Sequence, residues 1–274
     1  MPESWREFVD SFYSDEIEQF YENDIGALLD DTLDPRGPEM LFDLAAELGV
    51  TASSRVLDLG SRDGRHLVAL RDRFGCTPVG VEPADANFRR MRRAYPGDTL
   101  VAARGVAEAL PFADESFDLV WIRDVLVHIE VLGPAFAEVR RVLRPGAAAL
   151  VFHVFATPLL EPREAEQLWN ATAAMPSSAD PEVFRGAVAR AGLEVERWEE
   201  LRGEWREHLE EVGDRKTSRQ LLRVARMLRD PERYKAAIGE REYEVELGDC
   251  LYGIYQLLGK LSATVSVLRR PFRA

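Results

Sequence analysis

The chain has 274 residues, with 48 Asp and Glu against 35 Lys and Arg and a formal net charge of −13. That length allows one large domain, or a domain with a lid, while the acidic balance works against a nucleic-acid ligand, whose phosphates are gripped by clustered Lys and Arg. No run approaches the roughly 20 apolar residues of a membrane span, and the start MPESWREFVDSF has no basic segment ahead of an apolar stretch. The expectation is a cytoplasmic protein with small-molecule chemistry.

In chain order, residues 3–48 have helical character, and 1–50 are predicted to form an N-terminal helical cap. From about residue 55 to 155 apolar strands alternate with helical periodicity, as in βαβ units on a parallel sheet. RVLDL reads as the first strand, and Leu67, Leu70 and Phe74 share one face of the helix after it. TPVGVE is the second strand, ADANFRRMRRAY the second helix and TLVAA the third strand. FDLVWIR follows, then a helix with Leu132, Phe136, Val139 and Leu143 at helical spacing that stops at RPG, then AAALVFHVF. PEVFRGAVARAG is predicted as a helix and LEVERWEEL as a sixth strand. LSATVSVLRR reads as a seventh, antiparallel and at the sheet edge. Between those last two lies a helical insertion, 202–259, with Leu247, Leu251, Ile254 and Leu258 on one face. An insertion of that size suits a lid or substrate wall. The expected divisions are the cap at 1–50, a core at 51–201, the insertion at 202–259 and the last strand at 260–274.

Cys76 and Cys250 are far apart and lack His or Cys neighbours at ligand spacing, so they read as buried apolar residues. No metal-ligand pattern appears, and no metal is expected.

The loop VLDLGSRDGRH, residues 56–66, decides the ligand class. A dinucleotide loop places three glycines as G-x-G-x-x-G so that backbone can approach a pyrophosphate. Here only Gly60 and Gly64 are present; Arg62 holds the middle position and Arg65 the third. Asp58 before the turn and Asp63 within it repel a pyrophosphate and attract a cation. Glu82, about 20 residues on, closes the second strand where a carboxylate can accept from both hydroxyls of a ribose. A nucleoside that bears a cation and no phosphate fits both features.

With those residues in view, the chain resembles the class I S-adenosylmethionine (SAM)-dependent methyltransferases of small-molecule type. VLDLGSRDGRH is similar to the family's first motif and GVEP to its second. GVAEALPFADESFDLVWIRDVLVHI and VRRVLRPGAAALVF are similar to the adenine wall with the fourth strand and to the helix, turn and fifth strand. The resemblance implies an α/β fold, a Rossmann-like seven-stranded, mostly parallel sheet with helices on both faces, joined by the N-terminal helical segment and the insertion before the last strand. It implies SAM as cofactor and, as cofactor-binding residues, Asp58, Gly60, Ser61, Arg62, Gly64, Glu82, Pro83, Val106, Ala107, Glu108, Arg123 and His128. Two departures stand out: Arg62 at the usual middle glycine, and Val106 where an aspartate commonly accepts from adenine. Methyl transfer needs an aligned nucleophile and, where the nucleophile carries a proton, a base. His153 in the fifth strand is the first candidate and His128 the second; His66 and His208 have no compelling partner in the sequence. Tyr13, Tyr21, Trp169, Trp205, Tyr243, Tyr252 and Tyr255 are candidates for an aromatic wall around an organic acceptor. A SAM-binding enzyme of cyclisation or decarboxylation and a non-catalytic SAM-binding protein are the alternatives; an NAD-dependent oxidoreductase is the weakest rival.

Overall fold

A computed structural model describes residues 4–12, 35–96 and 100–272. The chain divides into two compact units, Met1–Pro35 and Arg36–Ala274. In the first, α1 (Trp5–Phe12) is begun by a capping box: Ser4 Oγ accepts from the Glu7 N–H at 3.2 Å and the Glu7 carboxylate accepts from the Ser4 N–H at 3.2 Å.

The second unit opens with α2 (Glu39–Glu47) and continues as β1 (Arg55–Leu59), α3 (Arg65–Phe74), β2 (Thr77–Glu82), α4 (Asp85–Ala94), β3 (Val101–Arg104) and β4 (Phe117–Arg123). Next come α5 (Leu132–Val142), β5 (Leu143–Ala156), α6 (Pro162–Thr172), α7 (Pro181–Arg190) and β6 (Glu194–Arg202). Four helices, α8 (Glu204–Glu211), α9 (Lys216–Arg229), α10 (Pro231–Ile238) and α11 (Glu240–Leu257), precede β7 (Leu261–Arg269). No helix among the described residues is long and apolar enough to cross a membrane.

The strands form one sheet in the order β3-β2-β1-β4-β5-β7-β6. β1 to β5 are parallel, and β7 pairs antiparallel with β5 and with β6. The expected seventh strand is therefore present and antiparallel, but it is not at the edge. β7 lies between two neighbours and is buried along nearly its whole length, whereas the charged β6 takes the edge and leaves most of its side chains to solvent. Charges on an edge strand discourage further pairing.

Strand alternation sorts the sheet into two faces. Leu57, Leu59, Val120, Ile122, Val151 and Phe155 pack with α5 and α7 on one face. On the other, Val56, Trp121, Leu150 and Phe152 pack with Leu41 and Phe42 of α2 and Trp205 of α8. The first half of the sheet runs outward from β1 to β3 and the second half from β4 onward, so strand order reverses at the β1/β4 boundary. Ligands of open α/β sheets gather beyond the carboxyl ends of the strands at that boundary.

Candidate active site

At that boundary lies a cavity of about 650 Å³, lined by the loop after β1, the ends of β2 and β4, the turn at 105–108, and Lys216 at the start of α9. Pockets of several hundred Å³ suit a nucleoside-sized ligand.

The loop after β1 is shaped by positive φ angles: Gly60 at 78°, Arg62 at 46° and Gly64 at 82°. Glycine at position 60 is enforced by contact, since a Cβ there would sit 2.5 Å from Val125 Cγ2. Arg62 accepts the left-handed conformation at a cost of about 1 kcal/mol. Its backbone N–H donates to Glu82 Oε2 at 3.0 Å, while Glu82 Oε1 accepts from the Ala84 N–H at 2.9 Å and from Asn87 Nδ2 at 3.0 Å. Only a backbone amide at residue 62 is needed, which is how a side chain is tolerated where a glycine is usual. Glu82 is buried and fixed by three donors, and a carboxylate offers about four lone-pair sites. Asn87, absent from the sequence reading, sits five residues after Glu82 and holds it.

Asp58 is 1% exposed, and its Oδ2 has no hydrogen-bond partner. Burial pushes its carboxyl up to about 7, opposed by the nearby Arg123 charge and reinforced by Glu82 and Asp63. Asp63 is satisfied differently: Arg65 donates to it at 2.6 Å and holds it down near 2. Ser61 Oγ is also buried without a partner. Asp58 Oδ2 and Ser61 Oγ are thus buried acceptors without a hydrogen-bond partner, and Glu82, which lines the cavity, keeps about one lone-pair site beyond its three donors.

Gly60, Ser61, Arg62, Glu82, Pro83, Val106, Ala107, Glu108, Arg123 and His128 from the sequence reading all line the cavity. Gly64 does not; it is the left-handed N-cap of α3, and a Cβ there would lie 2.8 Å from Met91 Cγ, so its role is in the turn. Asp58 stands behind the lining. Val106 bridges to Ala109 and is half exposed to the cavity side, so no acidic side chain occupies that position.

The histidines separate. His153 was expected as a base, and the structure places it elsewhere: it is 1% exposed on the α5/α7 face, 4.7 Å from Phe155 and 5.7 Å from Phe184 by ring centroids. Its Nε2 donates to the Ser178 carbonyl at 2.7 Å, and burial lowers its proton affinity. It is a core histidine that does not touch the cavity. His128, which ends a short 3₁₀ turn at Leu126–His128, does line it. Its Nδ1 lies 3.0 Å from the Ala173 carbonyl, which accepts and so places the proton on Nδ1, leaving Nε2 a lone pair.

His66 was passed over in the sequence and lines the cavity too. Its Nε2 lies 2.8 Å from Arg123 Nη1. Burial and the Arg123 charge push its proton affinity down to about 3, so the ring is a neutral acceptor. Asp124, with φ 56°, also faces the cavity, and Tyr252 of α11 reaches its Oδ1 at 3.4 Å. Of the aromatic wall, Trp205, Tyr243 and Tyr255 are buried and Trp169 and Tyr252 partly so; none of the five lines the cavity, and Tyr13 and Tyr21 lie outside the described residues. No group of three or more His, Cys, Asp or Glu that could hold a metal occurs among the described residues.

Residues 57–151 match the family described as a methyltransferase domain. The class is thereby defined as a Rossmann-like core carrying that domain, with SAM as cofactor. Residues 57–151 thus carry a methyltransferase domain, and curated relatives that the chain resembles are themselves methyltransferases. The chain is similar to 27-O-demethylrifamycin SV methyltransferase of Amycolatopsis mediterranei, with 24% identity over 73% of this chain and 74% of that one. It is also similar to methyltransferase GfsG of Streptomyces halstedii, at 28% identity over 51% of each, so it spans about half that relative's length. Among solved structures, the [4+2]-cyclase SpnF shares the fold with a TM-score of 0.63 and 18% identity, covering 85% of this chain and 82% of that one.

Proposed function

We propose that the chain methylates an O, N or C nucleophile of a small organic molecule in secondary metabolism, with the acceptor lying beneath the α8–α11 layer, which acts as its lid. The observation that carries this reading is the cavity together with the acid behind it: Glu82, thrice anchored at the end of β2, and His128 line it, and Asp58 of β1, whose Oδ2 has no hydrogen-bond partner, stands behind it. When bound, the cofactor supplies an activated methyl group and a neutral thioether as its leaving group. Glu82 accepts from a ribose hydroxyl at its remaining lone-pair site, and Asp58 attracts the ammonium of the tail. Leu59 and Val81, with Ile129, give the cavity apolar walls, while Lys216 closes it from the insertion. His128 Nε2 takes the proton of an O–H or N–H acceptor, its ring held by the Ala173 carbonyl. Resemblance to 27-O-demethylrifamycin SV methyltransferase over about three quarters of both chains supports an acceptor from secondary metabolism.

The test is to incubate the protein with SAM and a panel of polyketide-type hydroxyl, amine and activated-methylene acceptors, and to quantify S-adenosylhomocysteine together with the methylated product. Product and S-adenosylhomocysteine in equal amounts support methyl transfer. Conversion of an acceptor with the cofactor intact identifies a non-methylating enzyme. In a H128Q variant, turnover of a hydroxyl acceptor is expected to fall about 10²-fold or more.

A further inference from the structure

We propose that the outward face of α9 docks on an anionic lipid surface, with its exposed leucines sunk among the headgroups and its arginines on the lipid charges; the proposal stands independently of the cofactor reading.

Three stripes run along α9, whose sequence is KTSRQLLRVARMLR. Thr217, Gln220, Val224 and Met227 recur at helical spacing and are buried, and the last two pack against α11. Leu221, Ala225 and Leu228, at i, i+4 and i+7, form a second stripe on the outside. Arg219, Arg223 and Arg226 form a third with the same spacing, and at about 100° per residue Leu222 and Arg229 fall between the two outer stripes. The buried stripe explains how the helix is held in the fold. It does not explain the outer leucines, since Leu221 and Leu222 are each 57% exposed and Leu228 is 60% exposed. A single exposed leucine is ordinary on a protein surface, but a row of them along one helix marks a contact.

Charge narrows the partner. α9 holds five basic side chains and no acid, in a chain of net charge −13. Arg223 is paired with Glu246 at 3.0 Å, and Arg229 Nε donates to the Ala225 carbonyl at 3.0 Å. No carboxylate lies within ion-pair distance of Arg219 or Arg226 among the described residues. Like charges three and four residues apart destabilise a helix, and an anionic partner offsets that repulsion.

Shape narrows it further. Side chains more than half exposed stand proud of the surface, so the partner must either yield around a convex ridge or carry a groove that matches it. A bilayer interface yields: an amphipathic helix lies in its plane with its apolar side chains at the acyl boundary and its Lys and Arg among the headgroups. The long arginine stems reach along the leucines and keep their charges at headgroup level. α9 has 14 residues, and no helix among the described residues is long and apolar enough to cross a membrane, so the attachment is peripheral. Lys216, the first residue of α9, lines the cavity, and one helix therefore joins the docking face to the site.

Co-sedimentation with extruded vesicles tests this, using phosphatidylcholine alone and phosphatidylcholine with about 30% phosphatidylglycerol. The unaltered protein is expected to bind the anionic vesicles at least about 10-fold more tightly at low salt, and to lose most of that preference when salt is raised to about 0.5 M. In R226Q/R229Q affinity for the anionic vesicles falls about 10- to 30-fold, each charge near such a surface being worth about fivefold. In L221S/L228S it falls about 10-fold or more while the salt dependence remains. None of these four side chains belongs to the buried stripe, so Tm and affinity for S-adenosylhomocysteine should be unchanged in both variants, which separates lost docking from lost folding. No preference for anionic vesicles overturns the proposal, as does a preference that survives both pairs of substitutions. A dimer in light scattering that L221S/L228S splits, with no binding to vesicles, overturns it in favour of a second copy of the chain. Binding to soluble polyglutamate with none to vesicles overturns it in favour of an acidic protein. If vesicles bind and S-adenosylhomocysteine does not, the docking face stands and the cofactor reading has failed.

Discussion

Asp58 of β1 and Arg62 of the loop after it answer different questions. Asp58 is a buried carboxyl whose proton affinity is raised mainly by desolvation, to about 7. An acid with a folded-state pKa above its unfolded value favours folding most below pH 4, and that contribution is lost as pH rises through about 4 to 7. Asp58 therefore weakens the cofactor-free fold at neutral pH and above, and D58N is expected to stabilise the protein at pH 8 by a few kcal/mol at most, visible as a higher Tm. An ammonium beside Asp58 favours its ionised form, so S-adenosylhomocysteine binding at pH 7 should release part of a proton and weaken as pH falls to 5.5. Calorimetry in buffers of different ionisation enthalpy reads that release; no dependence on buffer would remove Asp58 as the ammonium's partner. Arg62 is the opposite case, a residue whose identity matters little because only its N–H meets Glu82. R62G keeps that amide and relaxes the left-handed backbone, so affinity for S-adenosylhomocysteine should stay within about threefold and stability within about 1 kcal/mol. A loss above about 30-fold would mean that the guanidinium itself touches the cofactor.

Element by element, β1, β2 and β4 of the parallel half were legible because each is a short, mostly apolar run bounded by turn residues and buried along nearly its whole length. RVLDL, TPVGVE and FDLVWIR became β1, β2 and β4 within the expected bounds. The order of the last two strands was not legible, because periodicity reports which face a residue takes and not which neighbour a strand has. One signal was present: LSATVSVL contains no charge over eight residues, as a doubly paired strand requires, whereas EVERWEELR carries six and suits an edge. The site divides the same way. Glu82 and the glycine loop lie close in sequence and were read; the His66 and Arg123 contact joins residues 57 apart and required the fold. His153 misled for a related reason, since a histidine near the end of a central strand looks catalytic until its face is known. Phe155, on the same side of β5, meets Phe184 at 5.3 Å, so that face is an aromatic core. H153F is accordingly expected to leave kcat/KM and its pH profile unaltered, with stability lowered by about 1–3 kcal/mol because the buried Ser178 carbonyl loses its donor. A flattened alkaline or acid limb in that variant would return His153 to the reaction.

At the scale of the molecule, the cavity is assembled from segments that lie far apart in the chain, from the loop at 59–66 to Lys216 in the insertion. α9 is bound to the rest through α11, where Val224 and Met227 pack with Tyr243, Leu247, Cys250 and Ile254. α8 reaches the sheet through Trp205, whose ring centre is 4.5 Å from that of Phe152. Arg36 ties the segment before α2 to Glu199 of β6 and to Glu204 of α8, the latter at 2.7 Å. A ligand in the cavity thus touches the parallel half of the sheet directly and the helical layer through the start of α9. Saturation at about 100 times Kd adds about 2.7 kcal/mol to the stability of the bound state, which for a chain of this size raises Tm by about 5–10 °C. If the layer is a true wall of the site, hydrogen exchange should slow not only at 60–66, 84–87 and 123–125 but also in the first turn of α9, at 216–219. The outer strand β6, on the far side of β7 from the cavity, should exchange as before. Protection that stops at the loops of the parallel half, with α9 unchanged, would make the four-helix layer a packing element and move the acceptor's position away from it.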